Sequence, residues 1–231
     1  MTILPNWNKA PLNKGVFTPG QHRLVGYFYK LPYAENFFLT GGTALAEYYL
    51  GHRESHDLDF FTRQEGIMQD FTKNMQSVLG KELPINMRRR FDNFAELICS
   101  TEGEEVRIHL AYDSPFHLEE PIKINHIIIN DFIDLVIEKL LTFFACCELR
   151  DAIDLFFILE REMIPFWDLK QFAKQKDPGF DLYWMARACE KVQTFPDDFN
   201  RWNVKMILPV QVKEIKDFFR NLAIEIIQTL K

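Results

Sequence analysis

Within the stretch FLTGGTALAEYYLGHRESHDLDFF, a Gly41-Gly42-Thr43 turn precedes two carboxylates, Asp57 and Asp59, one residue apart. Side chains alternate along a strand, so Asp57 and Asp59 project from one face while Leu58 points into the core. Two carboxylates held close together repel unless a cation or a proton lies between them. Hard oxygen ligands of this kind suit Mg²⁺, which keeps several waters and is commonly bridged by substrate phosphates. Glycines at 41 and 42 let the backbone approach a ligand closely, and a helix opening after them offers its free N–H groups to an anion. Phosphate cradle and metal carboxylates on neighbouring elements make the layout of a nucleoside-triphosphate site. Taken singly, a Gly-Gly turn and an Asp-x-Asp are more often a plain turn and a solvated strand end; their conjunction carries the functional reading.

The elements that must hold these residues follow from periodicity. A Thr-Pro start and helical spacing predict a helix over 18–31, a short apolar run predicts a strand over 36–39, and Ala, Leu and Glu predict a helix over 43–50 closed by Gly51. A second strand is expected at 56–61, an amphipathic helix at 64–79, and strands at 85–91, 94–100 and 104–111, with turns at Phe91-Asp92-Asn93 and Thr101-Glu102-Gly103. Beyond Asn130 the pattern becomes helical, at about 131–147, 149–162, 166–175, 180–193 and 210–230. The expected class is α+β: a mixed sheet with flanking helices over 1–125, then a helical subdomain over 126–231. The 231 residues, 47% apolar and 26% charged, exclude a disordered chain, and 22 Phe imply a core built from rings. A net charge of −6 excludes a generally polyanion-binding molecule. No apolar leader and no uninterrupted apolar stretch is present, so a soluble cytoplasmic protein without a membrane partner is expected.

Several further side chains are candidates. Lys139 interrupts the apolar stripe Leu135, Lys139, Phe143, and a charge there is costly unless paired. Asp151 and Asp154, at i and i+3 in an equally apolar segment, are its natural partners, either as a structural ion pair or as part of a site. His52, His56, His109 and His117 lack zinc-ligand spacing, and Ser55 lacks a nucleophile elbow. Arg88-Arg89-Arg90 is the one dense basic run and could contact RNA phosphates, but on a strand its members alternate between faces, and as a solvated edge it needs no partner. Cys99, Cys146, Cys147 and Cys189 show no disulfide or metal spacing and read as reduced, buried thiols.

The run GGTALAEYYLGHRESHDLDFF resembles the AbiEii/AbiGii toxin nucleotidyltransferases of the DNA polymerase beta-like superfamily. The residues that match are Gly41, Gly42, Thr43, Gly51, His52, Arg53, Ser55, Asp57, Asp59, Phe60 and Phe61, with a second block at Glu138-Lys139-Leu140, Arg150-Asp151 and Asp154-Leu155. The resemblance covers about residues 36–160. It implies transfer of a nucleoside monophosphate from an NTP to a tRNA end or a protein side chain, and an antitoxin partner. Asp57 and Asp59 would hold Mg²⁺, Gly41, Gly42, Thr43, Arg53 and Lys139 would serve the nucleotide, and Asp151 and Asp154 would support the site. The family places a third carboxylate where Val106-Arg107-Ile108-His109-Leu110 puts His109. A histidine there can act as the base but is a poor Mg²⁺ ligand. The alternative is a catalytically degenerate relative that binds a nucleotide or a partner, with His109 as a fixed cation.

Overall fold

The computed structural model describes residues 7–230. The chain divides into two compact units: Lys9–Phe132, and the stretch from Ile133 onward together with Trp7 and Asn8.

The first unit is a seven-stranded mixed sheet. Its strands are β1 (Phe38–Thr40), β2 (Leu58–Thr62), β3 (Ile85–Arg90), β4 (Phe94–Thr101), β5 (Glu104–Tyr112), β6 (Ile122–Ile124) and β7 (Ile127–Ile129), in the spatial order β3-β4-β5-β2-β1-β7-β6. β2 runs parallel to β5 and β1 parallel to β7; the other pairs are antiparallel. Helices α1 (Pro19–Phe28) and α3 (Met68–Leu79) cover one face over β4 and β5. Thr18 caps α1 through a capping box with Gln21, and Pro19 opens it, as the Thr-Pro signal implies. The phenylalanines meet here. Phe28 stacks on Phe60 at 3.7 Å between centroids, and Phe71 packs against Phe28 and Phe37. Leu58, Phe60 and Thr62 are buried while Asp59 and Phe61 are half-buried, so β2 alternates as its sequence requires. The opposite face of β4 and β5 stays open.

α2 (Gly41–Leu45) follows β1 directly and widens into a π-helical turn over Ala46–Leu50, closed by Gly51 N–H donating to the Ala46 carbonyl. The expected helix at 43–50 therefore begins two residues earlier, at the glycines. Glu47, on this helix, is fully buried. Its carboxylate accepts from the N–H groups of Gly15 (3.3 Å), Val16 (2.5 Å) and Phe17 (2.7 Å) and pins the incoming chain.

The first unit reaches Phe132 rather than stopping at 125, because a hairpin absent from the sequence reading continues the sheet. β6 and β7 are joined at Asn125-His126, with Asn125 in the left-handed region at φ 55°, and Leu39 pairs with Ile129. Asn130 closes the junction, donating from N to the Leu39 carbonyl and from Nδ2 to Thr40 Oγ1.

The second unit is helical: α4 (Phe132–Ala145), α5 (Leu149–Phe156) extended by a π turn over Phe157–Arg161, α6 (Phe166–Lys176), α7 (Leu182–Lys191) and α8 (Val212–Thr229). Phe143 stacks on Phe219 at 4.8 Å in its core. All four cysteines are free; Cys99, Cys147 and Cys189 are buried as expected, whereas Cys146 is exposed because it follows the end of α4. No helix among the described residues is long and apolar enough to cross a membrane.

Candidate active site

The register of the sheet assembles the site. Thr40 opposes Asp59, Asp59 opposes His109, and His109 opposes Glu96, so one row crosses β1, β2, β5 and β4 on the open face. His109 Nδ1 donates to Asp59 Oδ1 at 2.8 Å. That bond holds the imidazole above its ordinary pKa; burial opposes it, and the charges of Asp59, Asp57 and Glu96 add to it. Asp57 and Asp59 are each about one-fifth exposed, at 22% and 21%, and so open to a ligand.

The turn before α2 is built around Asp59. Gly41 has φ +73°, and a Cβ there would stand 2.0 Å from Asp59 Oδ2. A side chain at 41 would be strained by the backbone and blocked by the carboxylate, so Asp59 lies against bare backbone at the start of a helix. Thr43 is fully buried, and its hydroxyl engages Ser55 Oγ and the Asp57 carbonyl. It fixes the loop carrying Asp57, which leaves only its backbone to face a ligand. Arg53 is 3% exposed, with Nη1 donating to the Glu54 carbonyl, so it is walled into the same loop.

Two charged neighbours on this face, Arg107 and Glu96, carry no signal in the sequence. Arg107, two residues before His109, lies 3.9 Å from Asp57 Oδ1 and 3.5 Å from Glu96 Oε1. Arg89 reaches the other oxygen of Glu96 at 3.4 Å. Only the β4–β5 and β3–β4 registers bring these groups together.

Asp113, the carboxylate four residues beyond His109, lies elsewhere. It follows Tyr112, which pairs with Thr62 at the far end of β2, and its Oδ2 is 3.7 Å from Arg63. Lys139, Asp151 and Asp154 come together in the helical unit. Lys139 Nζ is 2.8 Å from Asp154 Oδ2 and 3.9 Å from Asp151 Oδ1, with Asp154 fully buried. Burial raises the Asp151 pKa, against the Lys139 charge. This is the ion pair that the apolar stripe requires.

Among the described residues no group of three or more His, Cys, Asp or Glu side chains is placed to hold a metal ion. Two carboxylates beside a bare glycine turn nonetheless have the donor chemistry of a Mg²⁺ site completed by water and phosphate oxygens.

A family model described as "Nucleotidyl transferase AbiEii toxin, Type IV TA system" matches residues 23–229. Among solved structures, the chain is similar to JHP933 from Helicobacter pylori, with a TM-score of 0.51 and 18% identity over 90% of this chain and 89% of that one. It is also similar to MenT4, the nucleotidyltransferase toxin Rv2826c of Mycobacterium tuberculosis H37Rv, with a TM-score of 0.53 and 18% identity over 81% and 75%. At these identities the likeness is one of fold. No curated protein matches the chain.

Proposed function

The chain belongs to the AbiEii nucleotidyltransferase toxin family, and from that membership and the site geometry we propose that it transfers a nucleoside monophosphate from an NTP to an acceptor hydroxyl, releasing pyrophosphate. The observation that carries this reading is the fit of Gly41 to Asp59: a left-handed glycine whose missing side chain leaves the carboxylate against the N-terminal turn of α2. Asp57 and Asp59 would hold Mg²⁺. When bound, the ion supplies positive charge to the reacting phosphate and to the leaving pyrophosphate. The backbone N–H groups of Gly42 and Thr43, in a first helical turn without intrahelical partners, receive the phosphate oxygens. His109 Nδ1 is committed to Asp59, so Nε2 is the atom that takes the proton from the acceptor hydroxyl. In this reading Lys139 acts through the helical unit's packing, and the acceptor is an RNA end or a protein hydroxyl. An antitoxin would be its protein partner.

A second reading is favoured by the same 2.8 Å bond. A protonated His109 on Asp59 is itself a cation where the metal would be expected, and such a protein would bind nucleotide or partner without turnover. Single-turnover labelling with each radiolabelled NTP and Mg²⁺, across pH 6–9, separates the two. Transfer that rises with pH as His109 deprotonates, and that disappears in Asp59→Asn, supports the transferase. No transfer by the parent together with transfer by His109→Asp identifies the degenerate form.

A further inference from the structure

Each carboxylate of the Asp57–Asp59 pair stands beside a basic side chain of β5. The parallel register that sets His109 against Asp59 brings Arg107 to Asp57, with Nη1 3.9 Å from Oδ1. His109 can give up its charge by losing a proton, whereas a guanidinium stays charged throughout the pH range of a folded protein. A divalent ion arriving at the two carboxylates therefore meets one permanent positive charge, that of Arg107. This side chain has a second acceptor within reach. Its Nε lies 3.5 Å from Glu96 Oε1, and Arg89 Nε holds the other oxygen of Glu96 at 3.4 Å. A β-bulge in β3 makes the Arg89 contact possible: Met87 pairs with Leu97 and Arg89 with Glu96, so Arg88 is the extra residue and Arg89 turns onto the face of the site. Both Arg107 contacts are longer than a good hydrogen bond, and its side chain is 49% exposed. The guanidinium is thus shared between Asp57 and Glu96 and fixed on neither.

We propose that Arg107 is a displaceable counter-ion of the metal site: it neutralises Asp57 while the site is empty, moves onto Glu96 when a divalent cation arrives, and so sets the affinity for that cation. Arg107 is then a positioning residue that acts through Asp57, and Glu96 acts through Arg107. The inference rests on the reading of Asp57 and Asp59 as metal ligands and adds the residues that tune them. Half-exposed ion pairs contribute little to folding, so stability alone does not account for a chain of charges running from Asp57 through Arg107 and Glu96 to Arg89. Its effect on a bound ion is larger. A unit charge about 6 Å from a divalent ion changes its affinity by roughly tenfold even at the dielectric constant of water, before salt screening.

The test is titration of the full chain with Mn²⁺, which shares the preference of Mg²⁺ for oxygen ligands, the free ion being counted by its electron paramagnetic resonance signal at low ionic strength. Melting curves without metal check that each variant folds as the parent does. Arg107→Gln should tighten Mn²⁺ binding by about tenfold, and the gain should shrink to about twofold in about 0.5 M salt, where exposed charges are screened. Arg107→Lys keeps the charge and should stay within about twofold of the parent. Arg90→Gln, which removes an equal charge from the opposite face of β3, should stay within about twofold as well. Glu96→Gln should weaken binding by about tenfold in the parent but by only about twofold in Arg107→Gln, the remainder being the direct effect of its own charge. No gain in Arg107→Gln, or an equal gain in Arg107→Lys, would overturn the counter-ion role and leave the metal site standing. Equal losses on Glu96→Gln in both backgrounds would overturn the transfer of Arg107 to Glu96. Binding that survives in Asp59→Asn, or that is absent from the parent and Arg107→Gln alike, would remove the metal-ligand reading itself and the counter-ion with it.

Discussion

Asp59 has one carboxylate oxygen on His109 and the other beside Gly41, so changes at either neighbour register on the same side chain. Gly41→Ala adds a Cβ at φ +73° and into Oδ2. It should abolish the rise in melting temperature given by Mg²⁺–NTP and cost the ligand-free protein about 1–2 kcal/mol, measured by denaturant unfolding. The His109 bond has a pH signature in the metal-free protein. Its folded pKa is raised, chiefly by the Asp59 bond, so its contribution is complete below the unfolded value of about 6.5 and is lost as pH climbs through the raised folded value. Unfolding midpoints should therefore fall above pH 6.5 in the parent, and this fall should flatten in His109→Gln. Alternation along one strand was enough to place Asp57 and Asp59 on one face, and the match to a family pattern was enough to place His109 near them. Glu96 and Arg107 were illegible because their meeting depends on a cross-strand register, and Thr43's inward hydroxyl because burial cannot be read from a Gly-Gly-Thr turn.

Buried charges decide how individual elements behave. In Lys139→Met the fully buried Asp154 loses its nearest cation, and destabilisation of roughly 3–5 kcal/mol is expected. The double variant Lys139→Met, Asp154→Leu should recover part of that loss, since it removes the fully buried carboxylate and leaves only Asp151 without its lysine; calorimetry of the set measures it. Little recovery would mean that Lys139 matters for more than this pair. Glu47→Gln replaces a carboxylate that accepts three backbone N–H groups with an amide that can meet them only in part. A loss of roughly 2–3 kcal/mol should follow, read from the denaturant midpoint. Nothing marked Glu47 in the sequence, because its partners lie some thirty positions earlier in an irregular segment. The long helices and the strands of the β3–β5 meander were legible from period alone. The β6–β7 hairpin was not: its three-residue strands are too short for periodicity, and an Asn-His turn between isoleucines is a weak hairpin signal by itself.

For the whole molecule, an N-terminal α+β sheet followed by helices was readable from the change of period after residue 130, and the aromatic core from the abundance of Phe. The extent of the sheet was not, because β1 takes one neighbour, β2, from just downstream and the other, β7, from the far end of the unit. The pairing of Leu39 with Ile129 makes order of synthesis matter. On the ribosome β1, β2 and β5, which carry the candidate site, emerge well before the strand that seals the free edge of β1, so a chain stalled at residue 125 presents β1 with open hydrogen-bonding groups to any passing strand. Protease protection of stalled nascent chains should accordingly step up only once residue 132 has cleared the exit tunnel. Chaperone capture of shorter intermediates would be the cellular expression of that one late parallel strand.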